Sequence, residues 1–334
     1  MIPPRRRGRM KCCVVTGASA GIGRSLSRRL ARRKYNVVLA CRSQARGAAA
    51  VAWIRAELPE ADVRVLPLDL ESFASVKEFV RRFRELDSTS GLDVLVCNAG
   101  MNNASQNRAR PLTADGVDQV MQVNHLGHAL LVELLLRDLQ RAAAPGSPAK
   151  VFHVTSAMHR SGRGDFAAAL AERRRGLAGA LVNRLSGHLG LYGESKLAQI
   201  LWSQALMERF QGAGTHVVSH AWNPGGVASE IYRDMGWFMR KVGTLFMQST
   251  DSAAASLDAA IHCDELAAAS KSLYLNSWRP WPVLGPESSL HEYWSPALCG
   301  EDYVVATPAA AARDPDAQAR LVRLTQELLA PHLP

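Results

Sequence analysis

An α/β fold with a doubly wound parallel sheet in one domain is what this 334-residue sequence predicts, on three observations. Continuous apolar runs of strand length alternate with amphipathic stretches of helix length. A glycine-rich turn follows the first run directly. No linker and no internal repeat divides the chain. Strands covered on both faces read as unbroken apolar runs, whereas half-exposed strands alternate, and that difference selects a parallel sheet.

Taken in order, "CCVVT" (12–16) is a strand, followed by a helix from Gly21 to Arg33; "NVVLA" (36–40) is the second strand, and a helix crosses 43–57. "VRVLPL" (63–68), a helix over 72–87 and "LDVLVCN" (92–98) continue the alternation. Helical stretches at 114–123 and 125–143 lead to "KVFHVTS" (150–156). A long helix begins near Leu191, "THVVSHAW" (215–222) is the next strand, and a helix over 251–263 precedes a last strand, "KSLYLN" (271–276). Residues 157–190, rich in Gly and Arg, form an insertion at the carboxyl end of a strand, the sheet edge where doubly wound folds bind ligands. The reading therefore divides the chain into a basic tail (1–9), a nucleotide-binding domain (10–276), and an extension (277–334) with a helix at 314–330, packed on or near the substrate side.

Composition narrows the class. With 47% apolar and 21% charged residues, the chain is neither disordered nor collagen-like. No run reaches the ~18 apolar residues of a membrane span, and the most apolar window, "HALLVELLL", is cut by Glu133. A soluble or peripheral protein of the cytoplasm or an organelle matrix is expected, with shallow membrane contact allowed. The basic N-terminus, with Arg5, Arg6, Arg7 and Arg9, lacks a signal-peptide cleavage site and reads as a solvated tail. Six cysteines without a C-x-x-C pair argue against zinc, a redox motif or a disulfide framework, and read as buried thiols in a reducing compartment. The net charge of +10 is dispersed and accompanied by no nucleic-acid-binding motif, so it points to anionic small ligands and not to nucleic acid.

In "VVTGASAGIGRSL", Gly17, Gly21 and Gly23, with Ser19 and Ile22 between and beside them, sit after a strand and open a helix. Such a turn brings backbone N–H groups and the helix dipole against a pyrophosphate, the dinucleotide site of a Rossmann fold. At the end of the second strand, "LACRS" carries Arg42 where NAD-binding folds have a carboxylate for the ribose 2′-hydroxyl. An arginine there accommodates a 2′-phosphate, so NADP(H) is favoured over NAD(H). Arg24, in the first helical turn, reinforces that reading. Asp69, with Leu70, follows the third strand at the adenine end, and Asn98, Ala99 and Gly100 end the fourth with small residues near the adenosine ribose.

"LYGESKLAQ" (191–199) puts Tyr192 and Lys196 one helical turn apart on one face. Reducing a carbonyl leaves an alkoxide that needs a proton, and a phenol beside an ammonium suits that exchange in either direction. Lysine is the fitting cation, since its three donors can also hold ribose hydroxyls, which a flat guanidinium would serve poorly. Ser156, ending "VFHVTS", could stabilise the substrate oxygen, and Asn124 in "QVNHLGH" could carry a water or a backbone carbonyl beside the lysine. Taken singly, each has an ordinary structural reading, a strand-end cap and a solvated helix amide.

Together these residues resemble the short-chain dehydrogenase/reductase family over roughly 10–276: T-G-x-x-x-G-I-G at 16–23, N-A-G at 98–100, Asn124, Ser156, Y-x-x-x-K at 192–196 and "PGGV" at 224–227. The resemblance implies a catalytic tetrad of Asn124, Ser156, Tyr192 and Lys196. It also implies contacts to the nicotinamide end from Pro224, Gly225, Gly226, Val227 and Ser229, and a dimeric or tetrameric assembly. "LACRS", "LPLDLESFASVKEF", "LDVLVCNAGM" and "VNHLGH" are similar to the retinol dehydrogenase and WW-domain-containing oxidoreductase branch, although roughly ten residues before the first strand hold neither a WW module nor a membrane helix. Asn223 stands where that branch commonly has His, which weakens transfer of substrate identity.

The expected function is thus NADP(H)-dependent hydride exchange with a lipophilic carbonyl or alcohol of the retinoid, steroid or lipid-aldehyde kind, the alternative being an NADP(H)-binding scaffold or redox-sensing interaction protein with little turnover. Within 230–249, Trp237, Phe238, Met239, Phe246 and Met247 suit a lipophilic substrate and equally suit packing on the sheet. His153 and His159 are given no role, and no metal is expected.

Overall fold

The apolar runs are the strands of a single sheet. The computed structural model describes residues 10–86, 91–102, 112–171, 177–227, 248–277 and 303–334, with backbone only at 168, 170, 171, 177–189 and 304. Its strands are β1 (Cys12–Thr16), β2 (Asn36–Cys41), β3 (Val63–Pro67), β4 (Val94–Cys97), β5 (Ala149–Val154), β6 (Val217–Asn223), β7 (Tyr274–Ser277) and β8 (Tyr303–Ala306). They lie in the order β3-β2-β1-β4-β5-β6-β7-β8. Every pairing is parallel except β7 with β8. The order reverses at β1, flanked by β2 and β4, and so opens a crevice beyond the carboxyl ends of β1 and β4.

Helices cover both faces: α1 (Gly21–Arg32), α2 (Gln44–Glu57), α3 (Phe73–Arg84), α4 (Gln119–Met121), a π-helical turn (Gln122–Leu126), α5 (Gly127–Ala142), α6 (Phe166–Ala171), α7 (Leu177–Gly212), α8 (Thr250–Ile261), α9 (Asp264–Ala267) and α10 (Pro315–Leu329). Strand side chains split by parity. Cys12, Val14, Leu95 and Val151 join the core under α3, α5, α7 and α10, while Cys13, Val15, Val96 and Phe152 join the one under α1, α2 and α8. Each buried Leu, Val or Phe contributes roughly 1.5–3 kcal/mol relative to exposure, so this two-sided burial drives the sheet. Ser43, Ser72, Ser249 and Asp314 cap α2, α3, α8 and α10 by accepting from backbone N–H groups of the first turn. α1 starts without a side-chain cap.

Five features depart from the sequence-based expectation. The helix expected from 114 begins at Gln119, because Asp118 accepts from the N–H groups of Val120 and Met121, after a turn through Gly116 at φ 79°. A π-helical turn then carries Asn124. α7 begins at Leu177, well before Leu191, so part of the expected insertion is helical. β8 pairs antiparallel with β7, so the sheet extends into the chain read as an extension. α10 seats Ala317, Leu321, Thr325 and Leu329 against the core. Cys12, Cys13, Cys41 and Cys97 are buried thiols as expected, whereas Cys263 is disulfide-bonded, which corrects the all-thiol reading. Among the described residues no helix is long and apolar enough to cross a membrane, and no cluster of metal-ligating side chains occurs.

Candidate active site

The turn after β1 is built for close approach. Gly17 and Gly21 have φ of 65° and 58°, the left-handed region that side-chain-bearing residues avoid. A Cβ on Gly17 would lie 2.9 Å from the Ala99 Cα, and one on Gly23 would lie 2.6 Å from Asn98 Nδ2 and 2.8 Å from the Gly17 carbonyl. Asn98 locks this arrangement: its Nδ2 donates to the Thr16 carbonyl at 2.7 Å, and the N–H groups of Asn98 and Ala99 both donate to Thr16 Oγ1 at 2.9 Å. Ser19 and Ile22 are half-buried on the same turn. Gly23→Ala therefore displaces Asn98, and its expected cost is about 1–3 kcal/mol of stability together with loss of dinucleotide binding. Thermal unfolding with and without NADPH measures both.

At the end of β2, Arg42 is largely exposed and donates from Nη1 to Glu71 Oε1 at 2.7 Å. Glu71 also accepts from Gln119 Nε2 at 2.8 Å, and its N–H donates to Asp69 Oδ1 at 3.0 Å. Asp69, Glu71 and Arg42 thus form one polar rim, with Leu70 buried beneath it. Arg24 lies over the Trp53 ring at 4.5 Å, and its buried Nε has no hydrogen-bond partner. A glycine turn that admits no Cβ at Gly17 or Gly23 and an orphaned guanidinium N–H at the helix start both fit a phosphate-bearing dinucleotide.

α7 carries Tyr192 and Lys196 into the same crevice, both buried. The lysine Nζ lies 5.4 Å from the tyrosine ring centroid, and it donates to the Val154 carbonyl at 2.9 Å and to Gln199 Oε1 at 3.1 Å. Burial pushes Lys196 down to about 7. A Cβ on Gly100 would stand 3.4 Å from both Lys196 Nζ and Asn124 Oδ1, so the end of β4 borders this pair directly.

Asn124 is buried, not solvated. Its side chain clamps Met101, accepting from its N–H at 2.8 Å and donating to its carbonyl at 3.0 Å, and also donates to Ser195 Oγ at 2.9 Å. Its main-chain carbonyl accepts from Gln199 Nε2 at 2.7 Å, and Gln199 Oε1 accepts from the lysine at 3.1 Å. Ser156 caps a 3-10 turn (Ala157–Ser161), accepting from the Met158 N–H at 3.2 Å. That turn is seated on α7 at Gly193, where a Cβ would strike Ser161 Oγ and lie 2.7 Å from the Met158 carbonyl. Glu194 pins the chain that follows by accepting from the N–H groups of Arg163 at 2.5 Å and Gly164 at 3.0 Å.

Beyond β6, Gly225 turns with φ of 72°, and Asn223 Oδ1 accepts from its N–H at 3.1 Å. Gln248 Nε2 donates to the Pro224 carbonyl, and the Gln248 N–H donates to the Gly226 carbonyl at 2.9 Å. Val227 is buried beside it. Ser229 and the 230–247 stretch, with Trp237, Phe238, Met239, Phe246 and Met247, lie outside the described residues. The structure thus gathers Gly17, Gly23, Asn98, Gly100, Asn124, Tyr192 and Lys196 by direct contacts. It adds Thr16, His128, Ser195 and Gln199, which the sequence reading missed. For Gln199 a signal existed: it lies seven residues after Tyr192 and three after Lys196, on their helical face.

Comparison with known proteins agrees with this geometry. Residues 11–169 match the family model for short chain dehydrogenases. The chain is 35% identical to mouse (Mus musculus) retinol dehydrogenase 12 over 253 residues, covering 76% of this chain and 72% of that one. It is 37% identical to mouse polyprenol dehydrogenase over 270 residues, covering 80% and 75%. The crystal structure of an uncharacterized Mycobacterium paratuberculosis protein superimposes with a TM-score of 0.63 at 25% identity, over 96% of this chain and 94% of that one. The family match and these relatives indicate an oxidoreductase acting on CH–OH and C=O groups. The chain belongs to the short-chain dehydrogenase/reductase family, on its retinol dehydrogenase branch.

Proposed function

We propose that this protein exchanges hydride between NADP(H) and a lipophilic carbonyl or alcohol, with Tyr192 as the acid/base. The observation that carries this reading is the buried Tyr192–Lys196 pair against Gly100, on the sheet edge that also holds the glycine cradle. A bound nicotinamide supplies or accepts the hydride. Tyr192 gives its proton to the forming alkoxide, and Lys196 stabilises the charge left on the phenol oxygen. Two of the lysine's three N–H groups are held by Val154 and Gln199, and the third is left for a ribose hydroxyl. Ser156 Oγ accepts from Met158, so its own proton can be donated to the substrate oxygen. Asn124 shapes the lysine's surroundings, and residues Pro224 to Val227, with Ser229, hold the nicotinamide end.

The NADP(H) preference rests on Arg42, which ends β2, and on Arg24 beside the cradle. A charge-assisted hydrogen bond is worth ~1.5–3 kcal/mol, so Arg42→Ala is expected to weaken NADPH roughly tenfold to a hundredfold and leave NADH unchanged. Nicotinamide fluorescence titration measures it, and equal loss for both cofactors would remove the assignment. The lipophilic substrate class is supported by relatives named for retinol and polyprenol, both apolar alcohols. Turnover of a panel of aldehydes and ketones of rising chain length tests that class: rates that do not rise with apolar length would sink it.

A further inference from the structure

The main-chain carbonyl of Asn124 has two partners, Gln199 Nε2 at 2.7 Å and His128 Nδ1 at 3.2 Å. A carbonyl oxygen has two lone pairs, so side chains take both. Because it can only accept, His128 carries its proton on Nδ1. Its Nε2 then accepts from the Thr16 hydroxyl at 2.9 Å. Gln199 is oriented by the same logic: Lys196 can only donate, so the amide oxygen faces Nζ at 3.1 Å and the amide nitrogen faces the carbonyl. A continuous circuit, from Thr16 through His128, Asn124 and Gln199 to Lys196, joins the strand before the glycine cradle to the candidate catalytic lysine. Thr16, Asn124, His128, Gln199 and Lys196 are all buried.

We infer that Gln199 is a positioning residue for the Tyr192–Lys196 pair, a role that rests on the function proposed above. It fixes one N–H of Lys196 while the Val154 carbonyl fixes another, and so aims the third. It also holds the Asn124 carbonyl, together with His128 Nδ1. The rival is a satisfied core glutamine with no influence on chemistry.

Gln199→Met keeps the length of the side chain and removes both polar ends. Small misplacements of reacting groups cost up to about a hundredfold in rate, so the expected result is a kcat reduced about 10- to 100-fold, with the Kd for NADPH within about threefold of wild type. In the free protein, hydrogen–deuterium exchange of the 119–127 segment should also accelerate, because the carbonyl loses a donor. A Gln199→Met kcat within about twofold of wild type overturns the inference. Should that variant not fold, Gln199→Glu carries the test: it retains an acceptor for Lys196 but lacks the N–H for Asn124, and a kcat and a pH–rate profile both unchanged from wild type overturn the inference. If the wild type turns over no carbonyl, the proposed function fails and the positioning role fails with it, while the exchange comparison still shows separately whether Gln199 holds the Asn124 carbonyl.

Discussion

Tyr192→Phe should lower kcat by about 10²–10⁴-fold, the range a positioned general acid supplies, while the Kd for NADPH changes by less than about threefold. The substitution removes one oxygen and keeps the ring, whose burial on α7 holds it in place. Lys196 keeps the Val154 and Gln199 oxygens as partners, so its ammonium does not depend on the phenol to stay where it is. Loss confined to kcat means the phenol acts in the transition state and not in binding. Steady-state kinetics on the carbonyl panel, alongside NADPH fluorescence, separate the two. A phenylalanine variant retaining a tenth or more of wild-type kcat would show that the proton comes from another group.

What the sequence discloses follows from how local each signal is. The parallel strands were legible because burial on both faces writes an unbroken apolar run into consecutive residues, as in Cys12–Thr16 and Val94–Cys97. The glycine turn was legible because positive φ at Gly17 and Gly21 leaves glycine as the fitting residue. Tyr192 and Lys196 were legible because a helix brings residues four apart onto one face. The circuit behind them was not: Thr16 meets His128 across 112 residues, and Asn124 meets Ser195 across 71. No pattern within one element encodes such a contact. The π-helical turn at Gln122–Leu126 is hidden for a related reason, since its composition is that of an ordinary helix and the partners that hold it come from α7 and β1. Arg42 was correctly placed at the end of β2, but its partner Glu71 belongs to the loop after β3 and became visible only with the sheet assembled. β8 escaped notice because its four residues carry no turn signal tying them to β7.

Acid should destabilise this protein steeply below about pH 6.5, because the fold stores neutral histidines. Burial pushes His125 and His153 down to about 3 and His128, His159 and His220 down to about 4. The hydrogen bonds explain why protonation is incompatible with the fold. His159 Nε2 accepts from the Ala309 N–H at 3.0 Å and His220 Nδ1 accepts from the Leu273 N–H at 3.1 Å, and an imidazolium has no acceptor nitrogen. The same holds for His128, whose Nε2 accepts from Thr16. With folded-state values below the unfolded value of ~6.5, the unfolded chain binds more protons throughout the interval between them. The stabilisation is therefore complete above about pH 6.5 and is lost as pH falls toward 4 and 3. Lys196, depressed to about 7, and Lys150, depressed to about 8, have the same sign at higher pH. A displacement of one unit is worth about 1.4 kcal/mol, so even one such histidine is a sizeable part of the roughly 5–15 kcal/mol by which a folded domain is stable. Urea midpoints measured from pH 7.5 down to pH 4.5 should fall continuously, and His220→Gln should flatten the slope by removing one of the contributing protons. A midpoint constant between about pH 7 and 5 would mean that these rings are protonated in the folded protein, contrary to the acceptor roles that their neighbours impose.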